Sequence, residues 1–117
     1  MNFALVFIGG GAGSLLRYTI GVLLQRSAFS LPVATLISNV LACLVFAVVL
    51  KNMNEGESDG FFSRPLLLSG FCGGLSTFST FGYETVLLLR QGQWLWALAN
   101  MALSLLLCIG AFYLIKK

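Results

Sequence analysis

The chain has 117 residues, 58% of them hydrophobic, with seven basic and four acidic side chains, no histidine and a formal net charge of +3. About a quarter of the residues of a soluble domain are charged, so a chain with 9% charged residues is no ordinary water-soluble enzyme and reads as integral membrane. The lack of histidine, with every acid but Glu84 confined to one connector, also argues against a zinc hydrolase or a di-metal enzyme.

Four apolar segments, 3–25, 31–50, 66–89 and 94–115, each reach the ~20 residues that a helix needs to cross a bilayer. The expected fold is therefore all-α, a single membrane domain over residues 1–117 with four transmembrane helices and a solvated loop at 51–64. No basic stretch precedes the first segment and Arg17 lies inside it, which argues for a retained span rather than a cleaved signal peptide. Gly9, Gly13, Arg17 and Gly21 recur every four residues, so a helix places them on one stripe where small residues let a neighbour approach closely. The Arg17 guanidinium either snorkels to the interface or faces a watery vestibule, where it attracts anions.

Pro32 can open the second helix, on which Thr35, Asn39 and Cys43 fall on one face with Ser38 beside them. Asn39 sits centrally in its span, and its amide serves either as an interhelical clamp or as a donor to something that passes. The connector holds Glu55, Glu57 and Asp59 among Asn, Gly and Ser, a solvated composition, and Pro65 begins the third span.

That span carries SGFCGGLSTFSTFG from Ser69 to Gly82, and hydrocarbon solvates neither hydroxyls nor unpaired backbone, so this segment must face protein, water or an ion. Gly73 and Gly74, followed by Leu75, Ser76 and Thr77, put low helix propensity at mid-span. A break there frees carbonyl and N–H groups for an ion, as in transporters with broken helices. An unbroken helix with its glycines at a packing crossover is the other reading. Phe78 and Phe81 share a face with Ser79 and Thr80 beside them, and ring edges are electropositive, so the rings either pack or offer their edges to an anion. Glu84 is the only acid within a span, a candidate for the end of a pore.

The turn 90–93 is so short that the third and fourth spans must be antiparallel neighbours. Asn100, Ser104 and Cys108 form a weakly polar face on the last helix, and Trp94, Trp96 and Tyr113 suit interfacial anchoring. Cys43, Cys72 and Cys108 are isolated in sequence and read as small packing residues. Lys51, Arg64, Lys116 and Lys117 flank one side of the membrane against Arg26, Arg90 and the deeper Arg17 on the other. So slight a bias permits insertion in both directions.

GGGAGSLLRY at 9–18, TLISN at 35–39 and, above all, GFCGGLSTFSTF at 70–81 resemble the motifs of the small bacterial fluoride channels, the Fluc or CrcB proteins. The resemblance covers all four spans. It implies an antiparallel, dual-topology homodimer in the bacterial inner membrane, with a third helix broken at mid-span, two fluoride pores and a central structural sodium ion. It places Asn39, Phe78, Phe81, Ser79, Thr80 and Ser104 on the fluoride pathway, Arg17 in a vestibule, and the backbone carbonyls of Gly73 and Ser76 on sodium. Fluoride, membrane lipid and a second copy are the implied partners, with no nucleic acid. The chain departs from the pattern at Ser76, where Thr is common, at Ala42, where Gly is common, and at Cys108, where a hydroxyl can occur.

Two other readings stand beside passive fluoride export. One is a small proton-coupled exporter of cationic compounds, which needs a membrane-embedded acid and has only Glu84 to offer. The other is a non-transporting assembly subunit whose polar faces only glue helices together.

Overall fold

The computed structural model describes residues 2–25, 32–53 and 62–115. The acidic connector with Glu55, Glu57 and Asp59, and the flanking Arg26, Lys116 and Lys117, lie outside the described residues. All described regular structure is helical: α1 Asn2–Leu23, α2 Val33–Asn52, α3 Arg64–Cys72, α4 Gly73–Leu75, α5 Phe78–Arg90 and α6 Trp94–Leu114. Three of them, α1, α2 and α6, are long and apolar enough to cross a membrane, with 22, 20 and 21 residues. The third apolar segment is divided. Its first part, α3, is wound as a π-helix with Pro65 in its opening turn, α4 adds one α-turn, and after Ser76 and Thr77 the chain resumes as α5.

Close backbone approach between α1 and the α3–α4 half explains the glycines. A Cβ on Gly9 would run into the Leu66 carbonyl, one on Gly13 into the Phe71 carbonyl, and one on Gly74 into the Gly10 carbonyl. At Gly70 it would come within 2.9 Å of the Pro65 oxygen and 3.0 Å of the Val6 oxygen. The expected glycine stripe is thus a helix-packing surface at Gly9 and Gly13, while a Cβ on Gly21 would meet open space. Gly73 has right-handed helical φ and ψ of −63° and −37°, and the chain leaves the helix only after Leu75. Close packing, not a kink, is what Gly74 supplies.

The remaining helices pack through small residues, as membrane helices do where lipid gives apolar side chains no reason to hide. Ala42, Ala47, Ala97 and Ala111 are buried, whereas Phe3, Phe7, Leu95 and Leu106 point outward. Around buried Ala42, Cys72 and Leu75 stand Ile20, Val45, Phe46 and Phe71, and Phe46 meets Phe112 edge-on with ring centroids 5.7 Å apart. The short turn closes on Gly92, whose φ of +75° a side chain would resist. The Gln93 N–H donates to Leu88 O at 2.9 Å and the Gly92 N–H to Leu89 O at 3.1 Å, a Schellman end that turns α6 back along α5.

Gly74→Val should cost about 1–3 kcal/mol or more, because the added carbons meet backbone that cannot rotate away. Thermal unfolding in detergent checks this: the variant should melt well below the parent, and Gly11→Ala, whose new methyl meets open space, should match it.

Candidate functional site

The centre of the third segment is a break whose polar groups are re-satisfied from other helices. Ser76 and Thr77 are extended, with φ and ψ of −80° and 154°, and −149° and 120°. A continuous helix would send the Thr77 N–H to the Gly73 carbonyl and the Thr80 N–H to the Ser76 carbonyl. Instead the Thr77 N–H donates to Asn39 Oδ1 at 2.7 Å, and Asn39 Nδ2 donates to Thr77 O at 3.2 Å. The Thr80 N–H donates to Thr77 Oγ1 at 3.2 Å, so Thr77 is the N-cap of α5. On the other side of the break, Arg17 Nε donates to Gly74 O at 3.1 Å. This places a cation at the negative end of α4. The Gly73 and Ser76 carbonyls, the pair that the resemblance assigns to sodium, are among those released from the helical ladder where the chain leaves α4.

Beside the break, α2, α5 and α6 enclose an open groove of about 250 Å³. Its wall holds Asn39, Phe78, Phe81 and Ser104, four of the six residues expected on a fluoride pathway, together with Cys43, Ser76, Thr77, Leu105 and Cys108. Among the described residues no ionised side chain lines it. The Phe78 and Phe81 rings stand side by side with centroids 5.9 Å apart and planes inclined by 33°. Asn39 spends its carbonyl and one N–H on Thr77 and keeps a second N–H. Ser104 is buried and its Oγ has no hydrogen-bond partner among the described residues. An unpaired hydroxyl in such a place is costly and marks a position for a ligand or water.

The other expected residues stand apart from the groove wall. Ser79 and Thr80 occupy the first turn of α5 around the cap, where Thr77 Oγ1 donates to Thr80 Oγ1 at 3.1 Å and lies 3.4 Å from Ser79 Oγ. Arg17 is held at the Gly74 carbonyl. Glu84 accepts a hydrogen bond from Thr35 Oγ1 at 2.8 Å across α2 and α5, and its Oε2 is buried without a partner among the described residues. One helical position further, Asn100 Nδ2 donates to Thr85 Oγ1 at 3.0 Å, which ties α6 to α5.

Sequence reasoning missed two things. Thr77 is the cap that restarts the helix, a role that a Thr ahead of a helical run can signal. Cys43, Cys72 and Cys108, read as isolated, come from α2, α3 and α6 to adjoining crevices: Cys43 and Cys108 share the groove, and Cys43 and Cys72 share a second crevice of about 160 Å³. No spacing in the sequence announces that convergence.

These features define a multi-pass helical membrane protein with a neutral, donor-lined groove at a broken helix. The description "CrcB-like protein, Camphor Resistance (CrcB)" matches residues 4–115, and the chain belongs to this family. Among its relatives, a fluoride-specific ion channel FluC of Klebsiella pneumoniae (strain 342) is 43% identical over 101 residues, 86% of this chain and 80% of the relative. The protein of the same description from Pyrococcus furiosus is 45% identical over 112 residues, 95% of this chain and 89% of its own. That of Serratia proteamaculans (strain 568) is 40% identical over 114 residues, 94% and 90% of the two chains.

Thr77→Val should remove the cap and destabilise the protein by about 1 kcal/mol, while Thr77→Ser should retain it. Asn39→Leu should cost more, about 1–3 kcal/mol, since it strands the Thr77 N–H and removes a donor from the Thr77 carbonyl. Melting temperatures of the three variants check the order, and an Asn39→Leu protein as stable as the parent would contradict the clamp.

Proposed function

We propose that this protein is a passive fluoride channel, not an enzyme, and that it lets fluoride leave the cytoplasm, where neutral HF that crosses the membrane dissociates and is trapped. The observation that carries this reading is the neutral groove wall, in a chain whose relatives are named fluoride-specific ion channels. Fluoride is small and strongly hydrated, so a conducting site must replace its water with donors yet not hold it with a fixed opposite charge. The free N–H of Asn39, the unpartnered Ser104 hydroxyl, the edges of Phe78 and Phe81 and the positive N-terminal end of α5 are donors of that kind. Ser79 and Thr80 extend the hydroxyls along the first turn of α5, and Arg17 raises local anion concentration near the mouth.

The working unit in this reading is an antiparallel dual-topology homodimer with two pores, in the bacterial inner membrane. Its support is the exposure of the site: Phe78 is 84% exposed in the single chain, and Gly73 also faces outward. A second, inverted copy covers both and completes each groove. The Gly73 and Ser76 carbonyls suit a hard cation such as sodium, which takes oxygen ligands. When bound between two copies, sodium supplies the positive charge that holds the opposed breaks together. Glu84 is paired with Thr35 away from the groove wall, an arrangement that serves α2–α5 packing better than proton-coupled export of cations.

Purified protein in liposomes loaded with fluoride should release it within the time of an electrode recording once a potassium ionophore balances charge, and chloride should stay. Release no faster than from empty vesicles would overturn the proposal. Phe81→Ile should lower flux by about tenfold or more at unchanged dimer yield, as loss of a transition-state donor does. Exhaustive dialysis against sodium-free buffer should reduce flux, and returning sodium should restore it.

A further inference from the structure

We infer that Cys43 and Cys108 form a two-thiol site for a soft, two-coordinate cation of the Hg2+, Ag+ or Cu+ class, and that occupancy of this site closes the anion groove. Both cysteines are free, and both line the groove that holds Asn39, Phe81 and Ser104. They line it from different helices, α2 and α6. Ser104, one turn before Cys108 on α6, lines the same groove, and its buried Oγ has no hydrogen-bond partner among the described residues.

The chemistry selects the ligand. Thiolates are soft donors that prefer soft metal ions, whereas a hard cation prefers oxygen. Among the described residues no three His, Cys, Asp or Glu side chains converge on one point, so a tetrahedral zinc site is not on offer. Two thiols brought to one groove from two helices suit two-coordinate binding. The step balances as Hg2+ plus two thiols giving a bis-thiolate complex and two protons, which leave to water, with no change of oxidation state. A bound soft cation bridges α2 to α6 one turn from Asn39 and Ser104, fills part of a groove of about 250 Å³ and adds a charge that captures an anion instead of passing it. Cys72 is buried and lines the other crevice but not the groove, so it is a neighbour and not a ligand.

The closing effect rests on the channel reading above; the metal site does not. The experiment adds Hg2+ at stoichiometric amounts to the full-length protein in detergent and in liposomes. The wild-type protein should take up one Hg2+ per protomer by intact mass. Subsequent alkylation in denaturant should label Cys72 alone, because the bis-thiolate complex survives unfolding. In liposomes the same Hg2+ should stop fluoride release, and excess dithiol should restore it. Cys43→Ser and Cys108→Ser should each weaken Hg2+ uptake by about tenfold or more, and each should keep its own flux in Hg2+, while Cys72→Ser behaves as wild type. Alkylation of Cys43 or Cys108 in the loaded wild-type protein would overturn the site, and needs no variant to fold. Full uptake at the pair with undiminished flux would overturn the closure. A wild-type protein that releases no fluoride before Hg2+ is added would instead overturn the channel proposal and leave the uptake result to judge the site.

Discussion

A backbone interrupted inside hydrocarbon must find hydrogen-bond partners within the protein, because each group left bare costs several kcal/mol. Here that constraint falls on Thr77, and the Asn39 amide answers it from α2 by accepting from the Thr77 N–H and donating to the Thr77 carbonyl. A single side chain thereby replaces the helical bond lost at the Thr77 N–H and adds a donor at its carbonyl. With the pair in place, α4 can end and α5 can begin at mid-membrane. Without it, the extended geometry of Ser76 and Thr77 has no support against closure into a continuous helix. The Thr77 hydroxyl completes the arrangement by capping the new helix at the Thr80 N–H.

Breaking one helix makes two ends of opposite character. The α4 end presents carbonyls, of which Gly74 O is taken by Arg17 while Gly73 O and Ser76 O are released. The α5 end presents N–H groups and the positive end of a 13-residue helix. One short segment therefore presents carbonyl oxygens on one side and N–H donors on the other, with no ionised side chain among the described residues of the groove wall. Neutral donors matter because permeation requires binding strong enough to offset dehydration and weak enough to release. The same economy explains the packing. Gly9, Gly13, Gly70 and Gly74 bring α1 and the first half of the broken segment into backbone contact, while α2 and α6 line the groove.

How much of this was legible in the sequence depends on the range of the interaction concerned. The glycine stripe at Gly9 and Gly13 was readable because helical spacing alone puts the two on one face, and that face is the one α3 covers. The mid-span break was readable as one of two options, but its cause was misplaced. Gly73 and Gly74 suggest freedom to bend, whereas the bend follows at Ser76 and Thr77, fixed by a partner 38 positions away in the chain. The polar faces on α2 and α6 were visible as Thr35, Asn39 and Cys43 and as Asn100, Ser104 and Cys108. Which members bond to protein and which line the groove was not, since Thr35 meets Glu84 and Asn100 meets Thr85 while Ser104 stays unpaired. That three cysteines from three helices line two adjoining crevices was invisible for the same reason: tertiary packing, not spacing, sets it.

The central claim is that Asn39, anchored by two of its hydrogen bonds to Thr77, holds out its remaining N–H to fluoride. Protein labelled with 15N at asparagine, reconstituted in bicelles and titrated with halides, tests this within one molecule, because Asn100 is already engaged with Thr85 and serves as the internal reference. The account predicts that fluoride shifts the Asn39 side-chain amide saturably, while chloride does not and Asn100 stays still. An Asn39 signal indifferent to fluoride, or moved equally by chloride, would contradict it.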